Sequence, residues 1–137
     1  MIVLDTNVLS EPLRARPSER VLAWLESQTE TLALTAISVG ELLTGVRLLP
    51  SGRRRDGLED AIEVVLAAHA DRVLPYDGAA ARHYSRIMES RRRSGHPMSV
   101  EDGMIAAICL ARGASLATRN LKDFDGFELR VVDPWNG

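Results

Sequence analysis

A three-layer α/β fold, with a parallel sheet covered by helices on both faces, is predicted by three features of this sequence. Short apolar runs such as "IVL" at 2–4 and "LAL" at 32–34 alternate with longer stretches whose apolar residues recur at helical spacing. Strands separated by helices need crossover connections, which make a parallel sheet with both faces covered. No internal repeat, low-complexity tract or linker divides the 137 residues. One Rossmann-like domain spanning 1–137 is therefore expected.

The elements follow in order. Residues 2–4 read as a buried strand that ends on Asp5. "SERVLAWLESQ" is a helix with Ser18 as its cap and Val21, Leu22 and Leu25 at helical spacing. "TLALTAI" is the second strand, and "SVGELLTGVRLL" a helix with Val39, Leu42, Leu43, Val46 and Leu49 on one stripe, stopped by Pro50. "PSGRRRDG" reads as a turn-rich loop and "LEDAIEVVLAAHA" as the next helix. "RVLPY" is a strand, followed by a helix from about Asp77 to Arg93 that "SGHP" breaks. "SVEDGMIAAICLAR" is a further helix, with Gly113 as its C-cap, and "ASLAT" and "LRVVD" complete the sheet.

Composition narrows the class. Apolar residues at 45% and charged residues at 26% describe a globular chain. The net charge of -2 conceals a bias, because Lys122 is the one lysine among 17 basic residues. Arginine's planar fork matches phosphate, so a nucleic-acid partner is permitted, though not required. Cys109 is the sole cysteine, and within "MIAAICLA" it reads as a small buried hydrophobe in a reducing compartment. "MIVLD" is too short for a signal segment, and no window reaches the roughly 18 apolar residues of a membrane span. A soluble, cytoplasmic protein is expected.

Ligands of open parallel sheets sit at the carboxyl ends of the strands, where helix N-termini also point. Asp5 ends the first strand, and Glu41 and Asp102 lie in the predicted first turns of two later helices. Ile105, Ala106 and Cys109 share a face with Asp102, which sets its carboxylate above a buried stripe. Each acid alone has a capping reading. "SVGE" and "SVED" match the capping box, with Ser38 or Ser99 as cap, and Asp5 can satisfy amides at the next helix start. Three acids in one layer would nevertheless repel, and a helix N-terminus offsets only about 0.3–1 kcal/mol. Oxygen donors alone, with His69, His83 and His96 at no ligand spacing, select a hard ion such as Mg²⁺ or Mn²⁺. Asp5 and Asp102 are the expected metal ligands, direct or through water, and Glu41 would orient the hydrated metal or the attacking water. Such an ion polarises a phosphodiester and acidifies its water, and hydrolysis would leave a 5′-phosphate and a 3′-hydroxyl. No G-x-S-x-G or phosphate-cradling glycine motif is present.

"LDTNVLSE" at 4–11, "TAISVGELLTGV" at 35–46, "EDGMIAAICLA" at 101–111, "LATRNLKDF" at 116–124 and "VVDPW" at 131–135 together resemble the PIN-domain nucleases, specifically VapC-type toxins and their FitB-like relatives. The resemblance covers nearly the whole chain in order. It implies a Mg²⁺-dependent endoribonuclease acting on RNA, usually a homodimer, neutralised by a cognate antitoxin. Asp5, Glu41 and Asp102 fall on the family's acidic positions. The fourth falls on Asn120, which leaves three formal charges instead of four. Asp123 joins the candidate set because one helical turn would bring its carboxylate near the same mouth.

Other readings compete. A haloacid-dehalogenase-type phosphatase wants D-x-D, and here Asp5-Thr6-Asn7 lacks the second acid. A receiver-like module would use Asp77 as phosphoacceptor beside Lys122, although Asp77 directly precedes a helix and also reads as its N-cap. A binding-only module would keep the acids as caps. Arg53–Arg55 and Arg91–Arg93 are candidate RNA contacts, against a solvated loop and a favourable helix C-terminus respectively. The apolar faces within 18–28 and 37–49 suggest a homodimer.

Overall fold

The computed structural model describes residues 1–136. Five strands form one parallel sheet: β1 (Ile2–Leu4), β2 (Leu32–Thr35), β3 (Val73–Leu74), β4 (Ser115–Ala117) and β5 (Val131–Val132). Their order is β3-β2-β1-β4-β5, so the chain builds outward from β1 on one side and then returns to its other side. The crevice between β1 and β4 is thus the switch point, the place where such sheets hold ligands. Six α-helices accompany the sheet: α1 (Thr6–Ser10), α2 (Glu19–Ser27), α3 (Ala36–Arg47), α4 (Arg53–Ala68), α5 (Gly78–Arg93) and α6 (Val100–Arg112). The α/β prediction holds.

Strand alternation divides the core in two. Val3, Ala33 and Leu116 occupy neighbouring positions in the ladder and share a cluster with Ile87 of α5, Ile105 and Ile108 of α6, and Phe124 from the segment after β4. Ile2, Leu4, Leu34 and Ala117 face the other way, onto Val8, Val21, Leu42, Val46 and Ile62 of α1 to α4. Gly103 allows α5 and α6 to approach closely, because a Cβ there would lie 2.8 Å from Met88 Sδ. Gly113 ends α6 with φ 62°, the left-handed cap expected of it. Cys109 is fully buried, and burial pushes its thiol up to about 12.

Two expectations change. Arg53–Arg55 are not a loop; they form the first turn of α4, which begins directly after Gly52 at φ 151°. Arg91 is not free for a ligand, since it donates to the carbonyls of His96 at 2.8 Å and Asp125 at 2.6 Å and so fastens two loops. The stripes of α2 and α3 pack onto the sheet through Val21, Leu42 and Val46, with Trp24, Leu25, Val39 and Leu43 partly buried against the same cluster, while Leu48 stays 80% exposed. No helix is long and apolar enough to cross a membrane among the described residues.

Candidate active site

Asp5 is the first residue after β1, and the backbone there turns directly into α1. Its Oδ1 accepts from the Thr6 amide at 2.8 Å, so Asp5 is the N-cap of α1. Its Oδ2 accepts from the Thr118 hydroxyl at 2.7 Å, across the crevice at the end of β4. Asn7 completes the brace: its Nδ2 donates to Thr118 Oγ1 at 3.4 Å, and its Oδ1 accepts from the Arg119 amide at 3.3 Å. The capping reading of Asp5 is therefore true of one oxygen, while the second is aimed into the switch point. Burial pushes the Asp5 carboxyl up, against the Thr118 and Thr6 hydrogen bonds, and the charge of Asp123 adds to the rise.

Glu41 sits differently from the expectation. Strand β2 runs into α3 without a loop, so Thr35 is the cap, and its hydroxyl accepts from the Ser38 amide at 3.1 Å. Ser38 is inside the helix and Glu41 falls in its second turn, which removes the capping-box explanation for this acid. Glu41 Oε1 instead accepts from the Thr6 hydroxyl at 3.0 Å, which links it to the residue beside Asp5. Its carboxyl is raised by desolvation, then by the charges of Asp5 and Glu101.

Asp102 lies in the first turn of α6, as expected. Ser99 is the cap, its Oγ accepting from the Asp102 amide at 3.2 Å. The return bond of a capping box, from the Ser99 amide to Asp102, is not formed among the described residues. The Asp102 carboxyl is pushed up to about 6 by burial first, and then by Asp5, Asp123 and Glu41, with Ser99 partly offsetting. The charges of Asp5, Asp123 and Glu41 thus reach Asp102 across the mouth of the β1–β4 crevice. None of the four is ion-paired to a basic side chain among the described residues.

Asn120 and Asp123 come from the connection after β4. Leu121–Phe124 is a single 3-10 turn, buried through Phe124, and the Asp123 amide donates to the Asn120 carbonyl at 3.1 Å. Asn120 caps nothing with its side chain, while its amide donates to Thr118 Oγ1 at 3.2 Å. Arg119, Asn120, Lys122 and Asp123 line one open cavity of about 440 Å³. Thr6, Asn7, Ser38 and Thr118 form the hydrogen-bonded frame of the site and were not anticipated. Their one trace in the sequence is a hydroxyl or amide residue immediately after or within each strand end.

Raised carboxyls make a stability prediction. Asp102 titrates near 6 when folded and near its ordinary 3.8 when unfolded. Between those values the native state binds more protons, so metal-free stability falls as pH rises through the window and is lowest above it. Asp102→Asn removes the charge that must be kept buried at neutral pH. In excess EDTA near neutral pH it is expected to gain about 1 kcal/mol, after allowing for solvent screening of a half-buried group, and to lose part of the wild-type gain on acidification. Calorimetric melts across the window check this, and a lower melting point for the variant would mean that the carboxylate serves α6 as a cap.

The sequence pattern of the PIN domain matches residues 2–127. This chain belongs to the PIN-domain family. The PIN domain described here is 44% identical over 137 residues to VapC ribonuclease Y4jK of Sinorhizobium fredii, covering 98% of each chain. It is 41% identical over 138 residues to Toxin FitB of Neisseria gonorrhoeae, covering 99% of each. In three dimensions it is similar to a chain in the structure of FitAB bound to an IR36 DNA fragment, with a TM-score of 0.93, 40% identity and coverage of 98% of this chain and 96% of that one. Its sheet order and flanking helices fit that membership.

Proposed function

We propose that this PIN domain is a divalent-metal-dependent endoribonuclease, the toxin of a toxin–antitoxin pair. One observation carries the reading: carboxylates without cationic partners lie within electrostatic reach of one another at the switch point of the sheet, in a chain closely similar to proteins named VapC ribonuclease and Toxin FitB. A toxin carried by its own cell needs a neutralising partner, which supports a cognate antitoxin. A homodimer, with the partly buried apolar faces of α2 and α3 as its candidate interface, is part of the same reading.

The donor set fits Mg²⁺ or Mn²⁺. It is oxygen-only, and each carboxyl is raised in the absence of a countercharge. In the present side-chain conformations no three Asp, Glu, His or Cys side chains among the described residues converge on one point. Mg²⁺ is commonly held by one or two carboxylates and otherwise by water. Asp5 and Asp102 would hold it, and a bound ion would polarise the phosphodiester and acidify water beside it. The Thr118 hydroxyl and the Thr6 amide favour the ionised form of Asp5 and orient it, against the cost of burial. Glu41, steadied by Thr6, is placed to orient an attacking water and to take up its proton. Purified protein with labelled single-stranded RNA is expected to cleave with Mg²⁺ or Mn²⁺ and to stop in excess EDTA. Undiminished cleavage in EDTA would overturn the mechanism.

The rival phosphoryl-transfer readings have no structural foothold. Asp77 caps α5 by accepting from the Ala80 amide at 3.0 Å and lies 3.7 Å from Arg112, which accounts for it without a phosphoacceptor role. Asn120 and Asp123 are the remaining members of the proposed site. Asp123 raises both Asp5 and Asp102, so its charge reaches the cluster, whereas Asn120 brings only an amide to the same mouth. Asn120→Asp is expected to tighten Mg²⁺ binding in a calorimetric titration. Asp123→Ala is expected to slow single-turnover cleavage less than Asp5→Asn does. Unchanged or weaker Mg²⁺ affinity in the first variant would turn the Asn120 side chain away from the metal, and a loss as severe as that of Asp5→Asn would make Asp123 a ligand.

A further inference from the structure

The segment after α1 and the first turns of α4 enclose a cleft of about 790 Å³, lined by Arg14, Arg16, Arg53 and Arg54 with Leu13 and Leu58 as apolar lining. Arg14 is held in place, since its Nη1 donates to both oxygens of Glu11 at 3.2 Å, and Glu11 Oε1 also accepts from the Ser18 amide at 3.1 Å. Glu11 is buried while the Arg14 side chain stays 60% exposed, so a fixed guanidinium still shows donors to solvent. Arg16, Arg53 and Arg54 have no ion pair or side-chain hydrogen bond among the described residues. Arginine in the first turn of α4 opposes the helix macrodipole, so the stability of that helix does not account for it.

We propose that this cleft is a phosphate-backbone track for single-stranded RNA, gripping the substrate a few nucleotides from the bond cut at the carboxylates. The inference rests on the ribonuclease reading and adds where the strand is held. Asp5 caps α1, and only α1 and the 3-10 turn Glu11–Leu13 separate it from Arg14, a path of roughly 15 Å. Four acids at the site repel a polyanion, and a single divalent ion offsets only part of that charge. Cations elsewhere on the path must supply the rest of the attraction. Arg91 cannot do so as freely, being engaged by two backbone carbonyls. Arginine forks on two facing walls suit successive phosphates, which favours RNA over an acidic polypeptide.

The test is the double variant Arg53→Glu/Arg54→Glu in the full chain, with retained folding checked by circular dichroism. Binding of a fluorescein-labelled 16-nucleotide RNA, read by anisotropy in EDTA against NaCl concentration, is expected to weaken at least about 10-fold, and its salt slope to become shallower by about 1.4. Cleavage of a two-nucleotide RNA, whose single phosphodiester is the bond cut and which cannot also reach the cleft, is expected to stay within about twofold of wild type. Unchanged binding and slope would overturn the proposal, as would equal loss on the short and long RNAs. Retained RNA binding with lost binding of a polyglutamate peptide would assign the cleft to an acidic polypeptide and also overturn it. If charge reversal unfolds the chain, Arg16→Gln with Arg54→Gln is read by the same measurements. Wild-type protein that cleaves no RNA with either ion would sink the ribonuclease reading alone, because the anisotropy arm decides the cleft without cleavage.

Discussion

Asp5→Asn is expected to lower metal-dependent RNA cleavage at least about 100-fold, equivalent to about 2.7 kcal/mol of transition-state stabilisation. The substitution is nearly isosteric and keeps Oδ1, which caps α1 through the Thr6 amide. Asparagine is as good an N-cap as aspartate, so the helix start survives. What disappears is the charge on the second oxygen, the one that accepts from Thr118 at 2.7 Å and faces the crevice. An amide nitrogen there requires the Thr118 hydroxyl to turn and accept, and it meets the Asn7 amide group at 3.5 Å. Those costs are offset by relief of repulsion with Asp102 and Glu41, both of which Asp5 raises. Melting in EDTA should therefore move by about 1 kcal/mol or less in either direction. Single-turnover cleavage with Mg²⁺ and a melt in EDTA read the two halves separately. Cleavage within threefold of wild type would remove Asp5 from the site, and a large loss of stability would make it chiefly structural.

Phe124→Ala is expected to destabilise the protein by about 3–5 kcal/mol, roughly 10 °C or more in Tm, and to slow cleavage with it. Phe124 is 1% exposed and packs in the cluster shared with α5 and α6, although it comes from the four-residue turn that carries Asp123. Truncation leaves a cavity on one side of the sheet and removes the anchor that holds the turn at the end of β4. Urea unfolding gives the stability change, and cleavage measured well below the transition isolates the effect on the site. A milder Phe124→Leu variant should recover most of both. Loss of stability with fully retained cleavage would show that the turn finds its place without this anchor.

Much of this was legible in the sequence for a local reason. Apolar strands of three or four residues, separated by helical stripes, admit only a parallel sheet with two covered faces, and Ser18, Asp77, Ser99 and Gly113 cap the helices at the places their chemistry indicates. Asp5 was legible as the residue where a buried strand stops on a charge. Glu41 was legible as a participant but not in its role. Its three-residue spacing from Ser38 imitates a capping box, while Thr35, at the strand end, takes the Ser38 amide first. Arg53–Arg55 were misread because neighbouring glycine and proline suggest a turn, and helix propensity carries no record of a first turn whose charges oppose its dipole.

By itself, the sequence determined the order and kind of the elements, the two apolar faces of the sheet and the acids that end up near its carboxyl edge. Those depend on periodicity and capping, which act within a few residues. Only the tertiary structure decided that Thr118, 113 residues from Asp5, holds the second oxygen of its carboxylate, that Thr6 joins Glu41 to the same frame, and that Arg14 and Arg16 face Arg53 and Arg54 across one cleft. The strand order sets β1 beside β4 and so brings those distant side chains within hydrogen-bonding reach. A bond of about 3 Å between side chains far apart in the chain depends on how packed layers register, and no local pattern in the chain encodes that distance.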